Sequence, residues 1–227
     1  MSTKIYSTST NEEISRVTSH PVAAISQVAG RISLAASVAS LVFLASLHAL
    51  SPEFDPSWRM VSEYALGNYG WVLSLMFLAW ALSCVALFAV IKSHVQTIGG
   101  KIGLGFLLAA AVGMTMAAPF DVNHSLHGLA AMIGMPSLPI AAILISVSLG
   151  RNPSWTSSRA LLIWTATLTW ASLVLMNIAV FTGFSQTGEL NPGAWLGWAN
   201  RLLIIAYNMW LMAVAWRAIN APGSRSS

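Results

Sequence analysis

Charged residues are scarce in this chain: they make up 8% of its 227 residues, whereas soluble domains carry about 25%. Hydrophobic residues account for 56% of the chain, and the mean hydropathy is +0.69. A composition this poor in charge excludes an ordinary soluble globular domain and favours an integral membrane protein.

Cysteine is nearly absent too, which removes two further classes of protein. The single thiol, Cys84, excludes an intrachain disulfide framework and a thiolate metal cluster. Residues 1–29 contain no apolar stretch followed by a small-residue cleavage site, so we expect no cleaved signal peptide. The cations stand singly and not in a basic patch with interleaved aromatics, so we expect no nucleic-acid partner.

Long apolar runs are what the chain does have. Each comes close to the roughly 20 residues that a helix needs to cross a bilayer. They predict an all-α integral membrane protein, a bundle of six transmembrane helices over residues 30–219 between tails at 1–29 and 220–227. A short helix is expected in the first tail near 11–17, and the short links make successive spans antiparallel neighbours. The predicted spans are residues 31–50, 71–91, 102–118, 128–149, 160–181 and 195–216.

The lysines and arginines divide unevenly between the two sides of this topology. One side has only Arg59 and Arg201, and the other has Lys4, Arg16, Arg31, Lys92, Lys101, Arg151, Arg159, Arg217 and Arg225. Because cations in short loops stay on the cytoplasmic side, both termini are predicted to be cytoplasmic. The protein is then a multi-pass protein of the cytoplasmic (inner) membrane, with its outer loops extracytoplasmic.

The first outer loop combines acids with a cation. An aspartate followed by a proline predicts a helix over 56–66, with Asp55 as its N-cap. Asp55, Arg59 and Glu63 then follow at four-residue intervals, and Tyr64 faces the bilayer or the bundle. The charges form either a solvated stripe on an interfacial helix or a cluster that turns inward over the bundle.

The second outer loop contains most of the outer histidines. Asp121, His124 and His127 are spaced to share one face of a helical turn, and His48 ends the first span at a similar depth. These four residues could bind zinc, whose activated water would hydrolyse an ester or amide. A single haem between His48 and His127 is a second use. Otherwise Asp121 caps the fourth span and the histidines make interfacial hydrogen bonds.

Arg201 falls about two turns inside the sixth span. An arginine within a membrane is costly and normally faces a partner inside the bundle. The outer acids Glu63, Asp121 and Glu189 are candidates for a structural ion pair. Alternatively, the guanidinium anchors an anionic lipid or substrate head group. The predicted ligand-binding residues are Arg59, Glu63, Tyr64, Asp121 and Arg201.

Three stretches at the outer span boundaries resemble one known family. They are SEYALGNYGW at 62–71, PFDVNHSLHG at 119–128 and GWANRLLIIAYNMW at 197–210. In order and spacing the chain, from about residue 31 to 219, resembles the membrane family called domain of unknown function 998. That resemblance implies a six-span bundle of bacterial or archaeal cytoplasmic membranes and no established activity. The matching positions are Ser62, Glu63, Gly67, Gly70, Asp121, His127 and Arg201.

A more distant resemblance is to the membrane ceramidase-like hydrolases, which hold zinc with Asp and His residues beside a Ser. Ser62, Asp121 and the three outer histidines would supply those groups. The chain departs from that pattern because it has six spans, where those hydrolases have seven, and no His-x-x-x-His on its last helix.

Three functions follow from these patterns. The first is binding of a membrane lipid or small amphiphile at a polar site at the outer helix ends, or support of a membrane assembly as a homo-oligomer or complex subunit. The alternative is a metal-dependent membrane hydrolase that uses Asp121 and the outer histidines. A transporter ranks third, since transport usually leaves inverted repeats and helices broken at the midplane.

Overall fold

A computed structural model describes residues 6–183, 191 and 194–220, with side chains from residue 27 onward. In this part of the chain every regular element is helical. Two short 3-10 helices, η1 (Val61–Leu66) and η2 (Pro153–Ser158), lie in the loops. The α-helices are α1 (Tyr6–Leu50), α2 (Gly70–Ile91), α3 (Ile98–Ala117), α4 (Ser125–Leu149), α5 (Arg159–Gly183) and α6 (Leu196–Ile219).

The structure contains six helices that are long and apolar enough to cross a membrane, which confirms the predicted all-α fold. The spanning part of α1 is Gln27–Leu50. Because α1 begins at Tyr6, the short helix predicted near 11–17 is part of this longer helix. The tail residues 1–5 and 221–227 lie outside the described residues.

The helices form a closed ring in chain order. Each packs against its neighbours in sequence, α6 returns to α1, and α2 also reaches α6. The loops gather at two ends. The Arg201 end contains residues 51–69 and 118–124, and the Arg217 end contains residues 92–97 and 150–158.

Small residues bring α3 and α4 into close contact. A Cβ added to Gly113 would lie 2.6 Å from the Cα of Gly134, and one on Gly103 would lie 2.9 Å from the Leu144 Cβ. Such contacts let helices approach where hydrophobicity gives no net drive. Gly105, on the same helix, faces open space.

Two prolines interrupt the hydrogen-bond ladder of α4 without ending the helix. Pro139 has no N–H, so the carbonyl of Met135 one turn earlier loses its usual donor. The Tyr207 hydroxyl on α6 donates to that carbonyl at 2.7 Å. An α6 side chain therefore replaces the lost backbone bond inside the bundle.

A buried serine cluster joins α1 to α2. The Ser83 hydroxyl lies 2.7 Å from that of Ser37 and donates to the Ser33 carbonyl at 2.9 Å. All three serines are buried. Within a bilayer such interhelical hydrogen bonds contribute about 1 kcal/mol each.

Candidate functional site

The loop at the Arg201 end is fastened to the start of α6. The Ser57 amide and hydroxyl both donate to Asp55 Oδ1, at 2.8 and 2.6 Å, and these bonds hold the pKa of Asp55 below its ordinary value. The Ser57 carbonyl accepts from the amides of Gly197 and Trp198. A Cβ on Gly197 would lie 2.4 Å from the Pro56 carbonyl oxygen, so the contact requires a glycine.

This fastening corrects the helix predicted over 56–66. A continuous helix would need the Val61 amide to bond the Ser57 carbonyl, four residues earlier. That carbonyl accepts from α6, and the Val61 amide donates to Asn200 Oδ1 at 2.8 Å. Regular structure therefore begins only at η1, and Gly67 follows its last residue as expected.

The predicted acid–base–acid ladder exists only in part. Arg59 pairs with Glu63, whose second carboxylate oxygen accepts from the Met60 amide at 2.8 Å. Asp55 is engaged with Ser57 instead. Glu63 is only 7% exposed, so it turns inward over the bundle and does not belong to a solvated stripe. The Arg59 guanidinium lies 4.4 Å from the Trp58 ring centre.

Arg201 is the central residue of this end. It is 3% exposed and four of its N–H groups donate to protein acceptors. Nε donates to His48 Nε2 at 2.7 Å, and Nη2 donates to the Tyr64 hydroxyl at 3.0 Å. Nη1 donates to the carbonyls of Arg59 and Gly197, at 2.8 and 3.0 Å. The cluster thus joins α1, η1 and α6 around one guanidinium.

The contacts of His48 fix its tautomer. Its Nδ1 lies 2.7 Å from the Leu44 carbonyl oxygen, which can only accept, so Nδ1 carries a proton. Its Nε2 must then be the unprotonated acceptor of the Arg201 Nε–H. His48 is therefore a neutral imidazole in this arrangement, and its one lone pair is already occupied.

The charge of Arg201 has no contacting counter-charge in the part of the chain that the structure describes. Glu63, a predicted partner, pairs with Arg59. Asp121 accepts from the Asn123 amide and is exposed to solvent. The third candidate, Glu189, lies outside the described residues. The described geometry therefore contradicts an ion pair of Arg201 with Glu63 or Asp121.

An apolar groove of about 700 Å³ runs beside this cation between α1 and α6. We call it the α1/α6 groove. His48 and Arg201 lie at its end nearest the loops, and Trp198 is exposed beside them. The rest of its lining is aliphatic: Leu41, Leu44, Ala45, Leu202 and Ile205.

The second predicted cluster is arranged differently from the expectation. Helix α4 begins at Ser125, so Asp121 and His124 precede it and do not share a helical face with His127. His124 is the N-cap, accepting from the Leu126 amide at 3.2 Å, a role that had been assigned to Asp121.

The His127 Nδ1 donates to the Phe120 carbonyl at 3.0 Å. Among the residues described, no three of His, Cys, Asp and Glu lie close enough together to hold a metal ion. The structure thus does not bring the predicted zinc ligands His48, Asp121, His124 and His127 together as one group. Of the two histidines predicted to hold a haem, His48 already accepts from Arg201 through Nε2, whereas His127 uses only Nδ1 in its bond to Phe120.

Sequence reasoning did not predict that His48 and Tyr64 contact Arg201. The sequence predicts Tyr64 and Arg201 as separate ligand-binding residues and His48 as a metal ligand, whereas in the structure Tyr64 and His48 both contact Arg201. One usable signal is depth, because His48 lies within two turns of the end of α1 and Arg201 within two turns of the start of α6, at the same end of the bundle. The role of Asn200 in holding η1 left no comparable pattern.

The sequence from residue 34 to 217 matches the family described as protein of unknown function (DUF998). This match covers most of the chain, which belongs to that family. No curated protein and no solved structure matches the chain.

Proposed function

We propose that this DUF998 protein binds an anionic membrane lipid at the Arg201 end. The lipid's acidic group lies against Arg201, and an acyl chain lies in the α1/α6 groove. The observation that carries the proposal is a buried arginine that lines an apolar groove and contacts no carboxylate among the described residues.

The chemistry of the cluster suits a phosphate or carboxylate. Four of the five guanidinium N–H groups have protein acceptors, so one remains for a ligand oxygen. The Tyr64 hydroxyl accepts from Arg201 and so holds the guanidinium in position. Charge-assisted bonds of this kind are about twice as strong as neutral ones. An anion here also neutralises an otherwise unpaired membrane-embedded cation.

The groove suits an acyl chain. Leu41 and Ile205 lie on the walls about two turns and one turn, respectively, from the polar cluster. Because lipid tails are as apolar as the groove, an acyl chain gains packing contacts there and not hydrophobic transfer free energy. The polar cluster thus recognises the head group, while the walls add affinity without chemical selectivity.

The uneven distribution of cations supports an orientation for this site. Arg59 and Arg201 are the cations assigned to the side with few lysines and arginines. The positive-inside rule therefore predicts that the Arg201 end faces the extracytoplasmic side of the membrane. A Cys84→Ala background allows a test by single cysteines at Asn123 and Ser93. An impermeant maleimide should label only the cysteine at position 123 in intact cells; labelling of only position 93 would invert the orientation.

The lipid proposal is tested in nanodiscs of phosphatidylcholine with a small fraction of phosphatidylglycerol. We expect native mass spectrometry to find phosphatidylglycerol enriched on the wild type, and Arg201→Gln to lose that enrichment roughly tenfold, since a charge-assisted bond is worth about 1.5 kcal/mol or more. Ala45→Trp, which fills the groove and leaves Arg201 intact, should weaken binding of both lipids. Palmitate is then added to the same nanodiscs. The mass of the bound lipid shows whether the site holds a free fatty acid or a phospholipid.

Two matched variants control this experiment. Arg217→Gln removes a cation from the other end of the same helix, and Val42→Trp adds the same ring to an exposed α1 position outside the groove. Neither should alter the enrichment. Equal phosphatidylglycerol binding by wild type and Arg201→Gln would refute the proposal, provided that the variant elutes as a folded protein.

A further inference from the structure

A second cavity lies inside the bundle and shares no lining residue with the α1/α6 groove. It measures about 260 Å³ and is bounded by η1 and by helices α2 to α6. Gly128 at its edge is exposed, so the cavity reaches the surface near the start of α4, at the Arg201 end. A cavity of about 150 Å³ is large enough for benzene, so this one has room for a larger apolar group.

The walls of this cavity are mostly apolar and carry no charge. Four methionines line it, Met60, Met114, Met135 and Met176. Thioether side chains are flexible and fill irregular gaps, so such walls can follow the shape of an alkyl chain. Among the described residues no Asp, Glu, Lys or Arg lines the cavity. An ionised ligand would meet no opposite charge there, and its desolvation would be uncompensated.

Two polar side chains of the lining each have one atom engaged by the protein and one left over. Asn200 accepts from the Val61 amide through Oδ1, so its remaining polar atom is Nδ2, a donor. His127 donates through Nδ1 to the Phe120 carbonyl, so Nε2 is an acceptor in the neutral ring. Neither Nδ2 nor Nε2 has a partner among the described residues, and neither atom is fully buried.

The cavity therefore offers a donor at Asn200 and an acceptor at His127, and the Ser62 hydroxyl in the same lining can act as either. A ligand that only accepts would leave the His127 acceptor unsatisfied, and one that only donates would leave the Asn200 donor unsatisfied. A hydroxyl group donates and accepts, and it carries no charge. We propose that this cavity binds an uncharged amphiphile with a hydroxyl head group, whose alkyl chain lies along the methionine-lined walls.

Three probes with the same ten-carbon chain test the head group. Decane-1,2-diol donates and accepts, 1,2-dimethoxydecane only accepts, and decanoate is charged. Binding of each labelled probe is measured by scintillation proximity on protein in nanodiscs at pH 8, which keeps imidazole neutral, with empty nanodiscs subtracted. We expect saturable binding of the diol, roughly tenfold tighter than that of the diether, because ether oxygens cannot donate to His127.

The same probes separate this site from the lipid site. The diol should bind folded Arg201→Gln as tightly as it binds the wild type, whereas any binding of decanoate should depend on Arg201. Failure of the lipid proposal would thus leave the diol result unchanged.

Two cavity variants and one control decide the outcome. In His127→Asn the amide nitrogen takes the place of Nδ1 and can still donate to the Phe120 carbonyl, while Nε2 is lost. We expect normal thermal stability, a roughly tenfold loss of diol affinity and unchanged diether binding. Ala131→Phe fills the cavity and should abolish binding of both probes, whereas Met132→Phe, at a 76% exposed position on the same helix, should not.

The proposal is overturned if the diol does not bind saturably, or if it binds folded Ala131→Phe as well as the wild type. Equal binding of diol and diether to the wild type would show that no ligand hydroxyl donates to the lining. A preference for the diol that persists in His127→Asn would likewise contradict the contact with His127. Because His127→Asn adds no volume and keeps the bond to Phe120, that variant gives a reading even if Ala131→Phe does not fold.

Discussion

The two ends of α6 are held by nearly the same tetrapeptide. Asp55–Trp58 reads DPSW at the Arg201 end, and Asn152–Trp155 reads NPSW at the Arg217 end. In both, the first side chain accepts from the serine amide and hydroxyl. In both, an arginine guanidinium lies over the tryptophan, Arg59 at 4.4 Å and Arg217 at 5.9 Å.

The serine carbonyl makes the contact with α6 at each end. The Ser57 carbonyl accepts from the first amides of the helix, whereas the Ser154 carbonyl accepts from Arg217 Nη2 at 2.6 Å. A helix leaves amides unpaired at its start and carbonyls unpaired at its end. The same loop can therefore bond backbone directly at the start, but it needs a cationic side chain at the end.

The two ends differ in where the charge lies. Arg217, in the last turn of α6, is half-buried against a loop, and Trp155 beneath it is fully buried. At the other end Trp58 is only half-buried, and α6 adds a second arginine, Arg201, buried beside an apolar groove. Fastening the helix requires only what both ends share, so the additional buried charge at one end needs a separate explanation.

The largest expected effect separates these two arginines. Arg201→Met removes a guanidinium with four protein hydrogen bonds and leaves His48 and the Arg59 carbonyl without their donor. We expect a loss of about 3 kcal/mol in unfolding free energy, against about 1 kcal/mol for Arg217→Met. Reversible unfolding in detergent measures both. Equal losses would mean that Arg201 is an anchor of the same kind as Arg217.

A smaller effect is expected from the glycines at the two ends. Gly197→Ala places a Cβ against the Pro56 and Arg59 carbonyls and should displace the loop, at a cost of about 1–3 kcal/mol. At Gly150 the Cβ would lie 2.9 Å from the Arg159 Cγ and 3.1 Å from the Ser146 carbonyl oxygen, so Gly150→Ala should cost less than Gly197→Ala. Thermal unfolding of both variants checks this difference, and a milder effect at Gly197 would contradict tight fastening at that end.

The sequence predicted the six helices because long apolar runs and short links leave few alternatives. It also identified Arg201, since a charge inside an apolar span is conspicuous. It failed where the outcome depended on competition between partners. Helical spacing predicted a helix over 56–66, but its Ser57 carbonyl and Val61 amide are taken by α6. Spacing alone likewise gathered Asp121, His124 and His127, which local turns separate.

The smallest expected effect concerns the residue by which the two tetrapeptides differ, Asp55 against Asn152. The Ser57 bonds lower the pKa of Asp55, so the folded protein binds this proton less readily than the unfolded chain. Its stabilising contribution is therefore present above the ordinary pKa of 3.8 and is lost as the pH falls through the lower folded value. Asn152 does not titrate, so its turn should keep its structure.

Hydrogen exchange on either side of that pH range tests this contrast. At low pH, exchange of the Ser57 amide should accelerate relative to that of Ser154, after correction for the intrinsic rates. Asp55→Asn makes the two tetrapeptides identical and should abolish the difference, because the amide oxygen still accepts and carries no proton to gain. If the two serines respond equally to pH in the wild type, the Asp55 carboxylate is not what holds the first turn. The two turns would then respond alike to pH, although only the first contains a titratable side chain.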